Sequence, residues 1–333
     1  MSKHYEPLTP PHRILLGPGP SNVPPAVTAA MGAPVIGHLD PAFLAVMEEV
    51  QEMLRAVLRT ENRFTLPVSG TGSAGMEAAL VNVLEPGDRI LVCVNGVFGE
   101  RMCDIAARCG AELERVEAPW GSPVDPAAVH RALAAFPAKV VAVVHAETST
   151  GVLQPLPELA EAAHARGALF LVDAVTSLAG APLETDAWGI DVCYSGTQKC
   201  LSCPPGLAPI TFGPRAVEVL EKRKTRVQSW YLDMTLILKY WGPDRVYHHT
   251  APISMIYALR EALRIVLEEG LEARWERHRR VHRALVRGLR KMGFSMLVAE
   301  ADRAPMINAV LVPEGMDEAA VRRRLLDDAG IEI

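Results

Sequence analysis

The chain has 333 residues, 49% of them apolar, and a formal net charge of −5. That is enough for a substantial core and more than one domain, and the mild negative charge offers nothing to a polyanionic partner. The densest basic run, Arg274 to Arg283, is interleaved with Trp275, Glu276, His278, Val281 and His282. It reads as a solvated helix face, so no nucleic-acid role is expected.

Residues 1–20 are rich in Pro and Gly, end in Leu16-Gly-Pro-Gly-Pro20, and are expected to form an extended arm. Apolar residues then recur at helical spacing from 43 to 58. Alternation follows, with strands expected at 64–68, 89–94, 112–117, 140–145, 169–173, 191–195 and 207–212. Helices are expected at 74–84, 98–109, 126–136 and 158–166. Short β-rich runs separated by helices argue for an α/β fold with a mostly parallel, buried sheet. From Pro252 to Lys291 the pattern is helical with a break at Gly270. Short strands at 294–298 and 308–312 and a helix at 317–329 suggest a smaller C-terminal α+β domain, incomplete here. The expected division is an arm (1–20), a large domain (21–265) and the start of a small domain (266–333).

The six cysteines show no framework spacing, and Cys200-x-x-Cys203 is a lone pair followed by Pro204-Pro205. Zinc would need a second pair, so no metal site and reduced thiols are expected. The N-terminus lacks the basic and apolar regions of a signal peptide, and no apolar run approaches the roughly 18 residues that span a bilayer. A cytoplasmic protein is the expectation.

In such sheets ligands bind beyond the carboxyl ends of the strands. Four chemistry-bearing stretches fall there: Ser69–Gly72, His145–Gly151, Asp173 and Ser195–Lys199. Gly70-Thr-Gly-Ser-Ala-Gly75 satisfies G-x-G-x-x-G between a strand and a helix, which suggests a dinucleotide. A dinucleotide unit also needs an acid at the tip of the second strand, and that strand ends in Asn95-Gly96. No Gly-Lys-Ser/Thr follows either. The loop Thr71-Gly72-Ser73, opening a helix, is therefore expected to hold a phosphate that is not a dinucleotide's.

An aldehyde cofactor of the pyridoxal phosphate type needs four things. A lysine must bond the aldehyde and carry the substrate's α-proton, and a carboxylate must keep the pyridine nitrogen protonated. A flat group must stack on the ring, and donors must hold the phosphate. Lys199, Asp173, Phe98 and the 71–73 loop supply one candidate each. Singly, each has a bland reading: a solvated lysine, a turn-forming Asp, a core Phe. Their combination at strand ends is much harder to reach by accident.

Several segments closely resemble alanine–glyoxylate and serine–pyruvate aminotransferases, of the class V, fold-type I pyridoxal phosphate enzymes. They are Leu16-Gly-Pro-Gly-Pro-Ser-Asn22, Ser69 to Leu80, His145-Ala-Glu-Thr-Ser-Thr-Gly-Val-Leu-Gln-Pro155, Val172-Asp173, Tyr194-Ser-Gly-Thr-Gln-Lys199 and Tyr247-His-His-Thr250. The resemblance implies Lys199 as the lysine bonded to the cofactor and Asp173 as partner of the pyridine nitrogen. It implies Thr148 near the ring's 3-oxygen, Phe98 on the ring where relatives often carry Trp, and Gln198 on the phosphate. It further implies a homodimer, with Tyr247 and Thr250 reaching the other subunit's phosphate and the N-terminal arm wrapping the partner. The implied activity moves an amino group from alanine or serine to glyoxylate or pyruvate by a ping-pong route.

His38, in Gly37-His38-Leu-Asp-Pro41, stands where ureidoglycine–glyoxylate relatives tend to have Gln and tilts away from that alternative. A lyase or desulfurase on the same fold is disfavoured by Gln198 beside the lysine, where desulfurases usually have His. A non-catalytic cofactor-binding scaffold is a further alternative. The resemblance also implies a continuation past Ile331-Glu-Ile333 bearing an arginine for the substrate carboxylate, a role that no residue of the 333 is assigned.

Overall fold

The computed structural model describes residues 4–333. The chain opens with a two-residue strand, β1 (Ile14–Leu15), a short helix, α1 (Pro25–Met31), and the longer α2 (Pro41–Leu58). Pro41 presets the first turn of α2, and Asp40 accepts the Ala42 N–H at 2.8 Å, a regular N-cap. Its buried stripe includes Phe43, Met47, Val50 and Leu54, each contributing about 1.5–3 kcal/mol by burial.

Alternation follows: β2 (Phe64–Ser69), α3 (Gly72–Val83), β3 (Arg89–Val94), α4 (Val97–Arg108), β4 (Glu112–Glu117), α5 (Pro126–Ala135) and β5 (Val140–Val144). A small antiparallel pair, β6 (Ala146–Glu147) and β7 (Val152–Leu153), precedes α6 (Pro157–His164). Then come β8 (Leu169–Asp173), β9 (Val192–Tyr194) and β10 (Leu207–Phe212). The seven-stranded sheet runs β2-β10-β9-β8-β5-β3-β4, with β10 antiparallel to both neighbours and the other pairings parallel. Strands β5, β8 and β10 are buried at every residue because helices cover both faces. The edge strand β4 carries Glu112, Glu114, Arg115 and Glu117, charges that blunt an open edge. This is the expected α/β sheet, and the described residues contain no helix long and apolar enough to cross a membrane.

The remaining elements are α7 (Pro214–Glu221), α8 (Met234–Trp241), α9 (Ile253–Glu269), α10 (Leu271–Lys291), β11 (Ser295–Met296), β12 (Val310–Leu311), α11 (Glu318–Ala329) and β13 (Ile331–Glu332). Gly270, at φ 83°, breaks α9 from α10 as expected. The expected boundary at 265/266 falls inside α9, which packs against both α1 and α2. Strands β11 and β12 are shorter than the sequence pattern suggested. The last strand does not pair with them: β13 lies parallel to β1, with Ile14 opposite Ile331. The end of the N-terminal arm is thereby stitched to the last strand.

Candidate active site

Asp173 closes β8 and is 2% exposed. Its Oδ1 accepts the Val175 N–H at 2.7 Å and its Oδ2 accepts the Tyr194 hydroxyl at 2.7 Å. Burial pushes the carboxyl up to about 6, opposed by those two hydrogen bonds. Tyr194, fully buried on the neighbouring β9, is pushed well above the ordinary phenol value by burial and by Asp173. Each carboxylate oxygen keeps a lone pair for a further donor.

Lys199 follows β9 on a turn whose backbone is tied to the N-terminal segment. Ser21 N donates to the Gln198 carbonyl at 2.8 Å, and Ser21 Oγ to the Lys199 carbonyl at 2.8 Å. The Lys199 amine donates to the Pro18 carbonyl, and a Cβ on Gly19 would lie 2.6 Å from Nζ. Burial lowers the Lys199 pKa, the direction an amine needs in order to act as nucleophile and base.

The 70–75 loop meets three steric demands. Gly70 takes φ 150°, a Cβ on Gly72 would stand 3.0 Å from Val175 Cγ2, and one on Gly75 would stand 3.0 Å from Ala208 Cβ. The G-x-G-x-x-G pattern thus arises from a tight turn and close helix–sheet packing, as it does in dinucleotide proteins. Asn95, just past the end of β3, donates to the Ser122 carbonyl, so the strand tip where a dinucleotide's ribose would need a carboxylate holds an amide instead. Thr71 is the N-cap residue of α3, so the helix's positive end opens onto the loop.

Phe98 sits in the first turn of α4. Its N–H and the N–H and hydroxyl of Ser149 all converge on buried Glu147. A Cβ on Gly96 would come within 2.5 Å of Glu147 Cδ and Ser149 Oγ, so that turn admits only glycine without rearrangement. Arg101 Cζ lies 4.8 Å from the Phe98 ring centroid while its Nη1 donates to Ser73 Oγ at 3.1 Å. Thr148 Oγ1 is hydrogen-bonded to Thr176 Oγ1.

Lys199, Gln198, Thr148 and Thr176 line one cavity of about 970 Å³. Leu16 to Gly19 stand on one side of it and Arg274, Arg277 and His278 of α10 on another. A larger cavity, about 1320 Å³, lies among Phe64, Phe212, Leu220 and Trp241 and includes none of the expected site residues. Val175 joins the halves of the site, its methyls reaching toward both Gly72 and Gly196. Tyr247 and Thr250 are not brought into this cluster. Their hydroxyls lie 3.5 Å apart on the exposed surface of this chain.

The residues fit pyridoxal phosphate on four counts. A buried carboxylate has spare lone pairs, and a lysine with lowered pKa lines a cavity. A glycine-rich loop opens a helix, and Gln198, which lines the same cavity as Lys199, carries a side-chain amide whose NH₂ can donate to a phosphate. Sequence reading did not single out Tyr194, Val175, Thr176, Glu147, Arg101 or Pro18. Tyr194 was legible as an aromatic strand-end residue, and it stands directly opposite Asp173 in the β8–β9 register, whereas nothing local marked Glu147 or the Pro18 carbonyl.

Comparison with known proteins gives the same answer. The (S)-ureidoglycine–glyoxylate transaminase of Bacillus subtilis (strain 168) is 41% identical, over 97% of this chain and 82% of its own length. The alanine–glyoxylate aminotransferase of Oryctolagus cuniculus is 42% identical, over 98% and 85%. The crystal structure of an alanine–glyoxylate aminotransferase from Nostoc sp. superposes with a TM-score of 0.98 at 50% identity, covering 99% of this chain and 88% of that one. The class-V aminotransferase profile matches residues 14–333, and the chain belongs to that family of pyridoxal phosphate-dependent transaminases.

Proposed function

We propose that this transaminase moves an amino group from alanine or serine to glyoxylate, with pyruvate as a second acceptor, and that it works as a homodimer. The observation that carries the reading is the pairing of a buried carboxylate at the end of β8 with a lysine of lowered pKa after β9, beside one substrate-sized cavity. Glyoxylate is in the names of all three relatives described above, which supports it as acceptor.

Bound pyridoxal phosphate would supply an aldehyde for the amino group and a ring that accepts electrons. Asp173 would hold a proton on the ring nitrogen through its free lone pairs, with Tyr194 and the Val175 N–H fixing its orientation. Phe98 and Val175 would flank the ring, and Thr148 would lie by its 3-oxygen. Thr71, Gly72, Ser73 and Gln198 would receive the phosphate, and Tyr247 and Thr250 would reach that of the partner subunit. Lys199 Nζ would take the substrate's α-proton and return it to the carbon that had been the cofactor's aldehyde, on the far side of the nitrogen.

Ureidoglycine is the second reading for the donor, favoured by the Bacillus subtilis relative. Against it stands His38, whose ring packs 5.2 Å from that of Tyr247 and whose carbonyl accepts the Tyr240 hydroxyl. The test is a panel of alanine, serine, ureidoglycine and cysteine against glyoxylate and pyruvate. Alanine or serine should turn over with parallel double-reciprocal lines, and Lys199→Ala should be inactive. Turnover of ureidoglycine alone, or sulfide release from cysteine, would overturn the assignment, as would cofactor binding without any transamination.

A further inference from the structure

The motif Tyr247-His-His-Thr250 contributes more than its ends. His249 Nε2 lies 2.7 Å from Ser69 Oγ, His249 Nδ1 lies 2.7 Å from His248 Nδ1, and His248 Nε2 lies 3.3 Å from the Trp230 carbonyl. A carbonyl can only accept, so His248 Nε2 carries the proton. In a neutral ring His248 Nδ1 is then a bare lone pair and takes the N–H of His249 Nδ1. His249 Nε2 is bare in turn and accepts the hydroxyl proton of Ser69. The direction of every hydrogen bond is thus set from the Trp230 end. Burial beside His248 pushes His249 down to about 4, which keeps its ring neutral near pH 7. Trp230 stacks on His248 at 4.3 Å and 19°, fixing the plane of the first ring.

Ser69 is the last residue of β2, and in the turn that follows Gly70 and Gly72, on either side of Thr71, carry no side chain to restrain it. The Ser69 hydroxyl is one anchor at the mouth of the loop, beside the Gly70 N–H bond to the Gly206 carbonyl, the Tyr231 hydroxyl on the Ser69 carbonyl and Arg101 on Ser73 Oγ. We propose that His249, held by His248 and Trp230, is a positioning residue that fixes Ser69 and thereby the 70–73 loop in its phosphate-holding geometry. The proposal rests on the reading of that loop as the phosphate site.

The experiment compares affinities of the enzyme, freed of cofactor, for pyridoxal phosphate and for pyridoxal, which lacks the phosphate. Loss of one hydrogen bond to a neutral partner is expected to weaken pyridoxal phosphate binding roughly tenfold in Ser69→Ala and in His249→Ala. Pyridoxal affinity should stay within about twofold. The double variant should be no worse than either single, because both remove the same contact. His249→Gln, whose amide oxygen can still accept from Ser69, should recover most of the loss, and kcat at saturating cofactor should change little. Equal losses for pyridoxal and pyridoxal phosphate, additive single losses, or unchanged affinity in Ser69→Ala would overturn the positioning role. Thr71→Ala separates the two levels. If it leaves pyridoxal phosphate affinity unchanged, the phosphate-loop reading fails and takes the proposal with it. If it weakens binding while Ser69→Ala does not, the relay alone is wrong.

Discussion

Replacing Tyr194 by phenylalanine removes one oxygen atom from the site and leaves its packing intact. The lost hydroxyl donates to Asp173 Oδ2 at 2.7 Å, and both side chains are buried. A hydrogen bond to an ionised group is worth about 1.5–3 kcal/mol, and one pKa unit corresponds to about 1.36 kcal/mol. Without the donor, Asp173 should therefore rise by roughly one to two units from its value of about 6. At pH 7 the ionised fraction would fall to between about one half and one tenth. A ring nitrogen that carries a proton needs the ionised carboxylate, so cofactor affinity should fall by about two- to tenfold at that pH. Toward pH 9 both carboxyls are ionised and the ratio of variant to wild-type affinity should approach one. The assay is a titration of the cofactor-free proteins with pyridoxal phosphate across pH 6 to 9, following the bound cofactor's visible absorbance. A ratio that does not change with pH would refute the argument, because a merely structural role for the hydroxyl would weaken binding equally throughout.

Asp173 should also destabilise the cofactor-free fold. Its folded pKa, about 6, lies above the ordinary 3.8, so the penalty is absent below about pH 4 and complete above about pH 6. By linkage it amounts to about 3 kcal/mol. Chemical denaturation should show Asp173→Asn gaining roughly that much relative to wild type between pH 4 and pH 8, while transamination is lost. Gly72→Ala would press a methyl to 3.0 Å from Val175, and should weaken pyridoxal phosphate binding at least tenfold with a stability loss of about 1–3 kcal/mol, read by titration and by thermal melting. Glu147→Gln would leave one acceptor oxygen for three donors now shared by two, and should lower stability by about 1–3 kcal/mol, measurable as a drop in denaturation midpoint.

The sheet was legible because its inner strands β3, β5 and β8 are nearly continuous apolar runs, which only a sheet covered on both faces can bury. Lys199, Asp173 and the glycine loop were legible for a related reason: each interrupts such a run with a residue type that chemistry needs. Helix α8, with the sequence Met-Thr-Leu-Ile-Leu-Lys-Tyr-Trp, was not, since its buried face, Met234, Ile237, Tyr240 and Trp241, spans only two turns, too few for the spacing to stand out in an apolar run. Helix α1 is one short segment opening at Pro25, and proline there reads equally as loop. The supporting groups were hidden because their meaning is tertiary. Glu147 is an ordinary acid until Gly96 brings a backbone N–H to it, and Pro18 contributes only its carbonyl.

The pairing of Ile14 with Ile331 has a consequence for the order in which the protein is made. Residues 16–19, which flank the Lys199 amine, run from β1, and β1 is held by a strand near the far end of the chain. Domains generally begin to fold from the N-terminus during synthesis, at about 5–20 residues per second. The seven-stranded sheet, complete at Phe212, can therefore assemble well before residue 331 emerges. In that interval residues 16–19 would be held beside Lys199 chiefly through the two bonds from Ser21 to the Gln198 and Lys199 carbonyls, without the β13 pairing. Pyridoxal phosphate present during translation would meet a more open lysine than the finished enzyme displays.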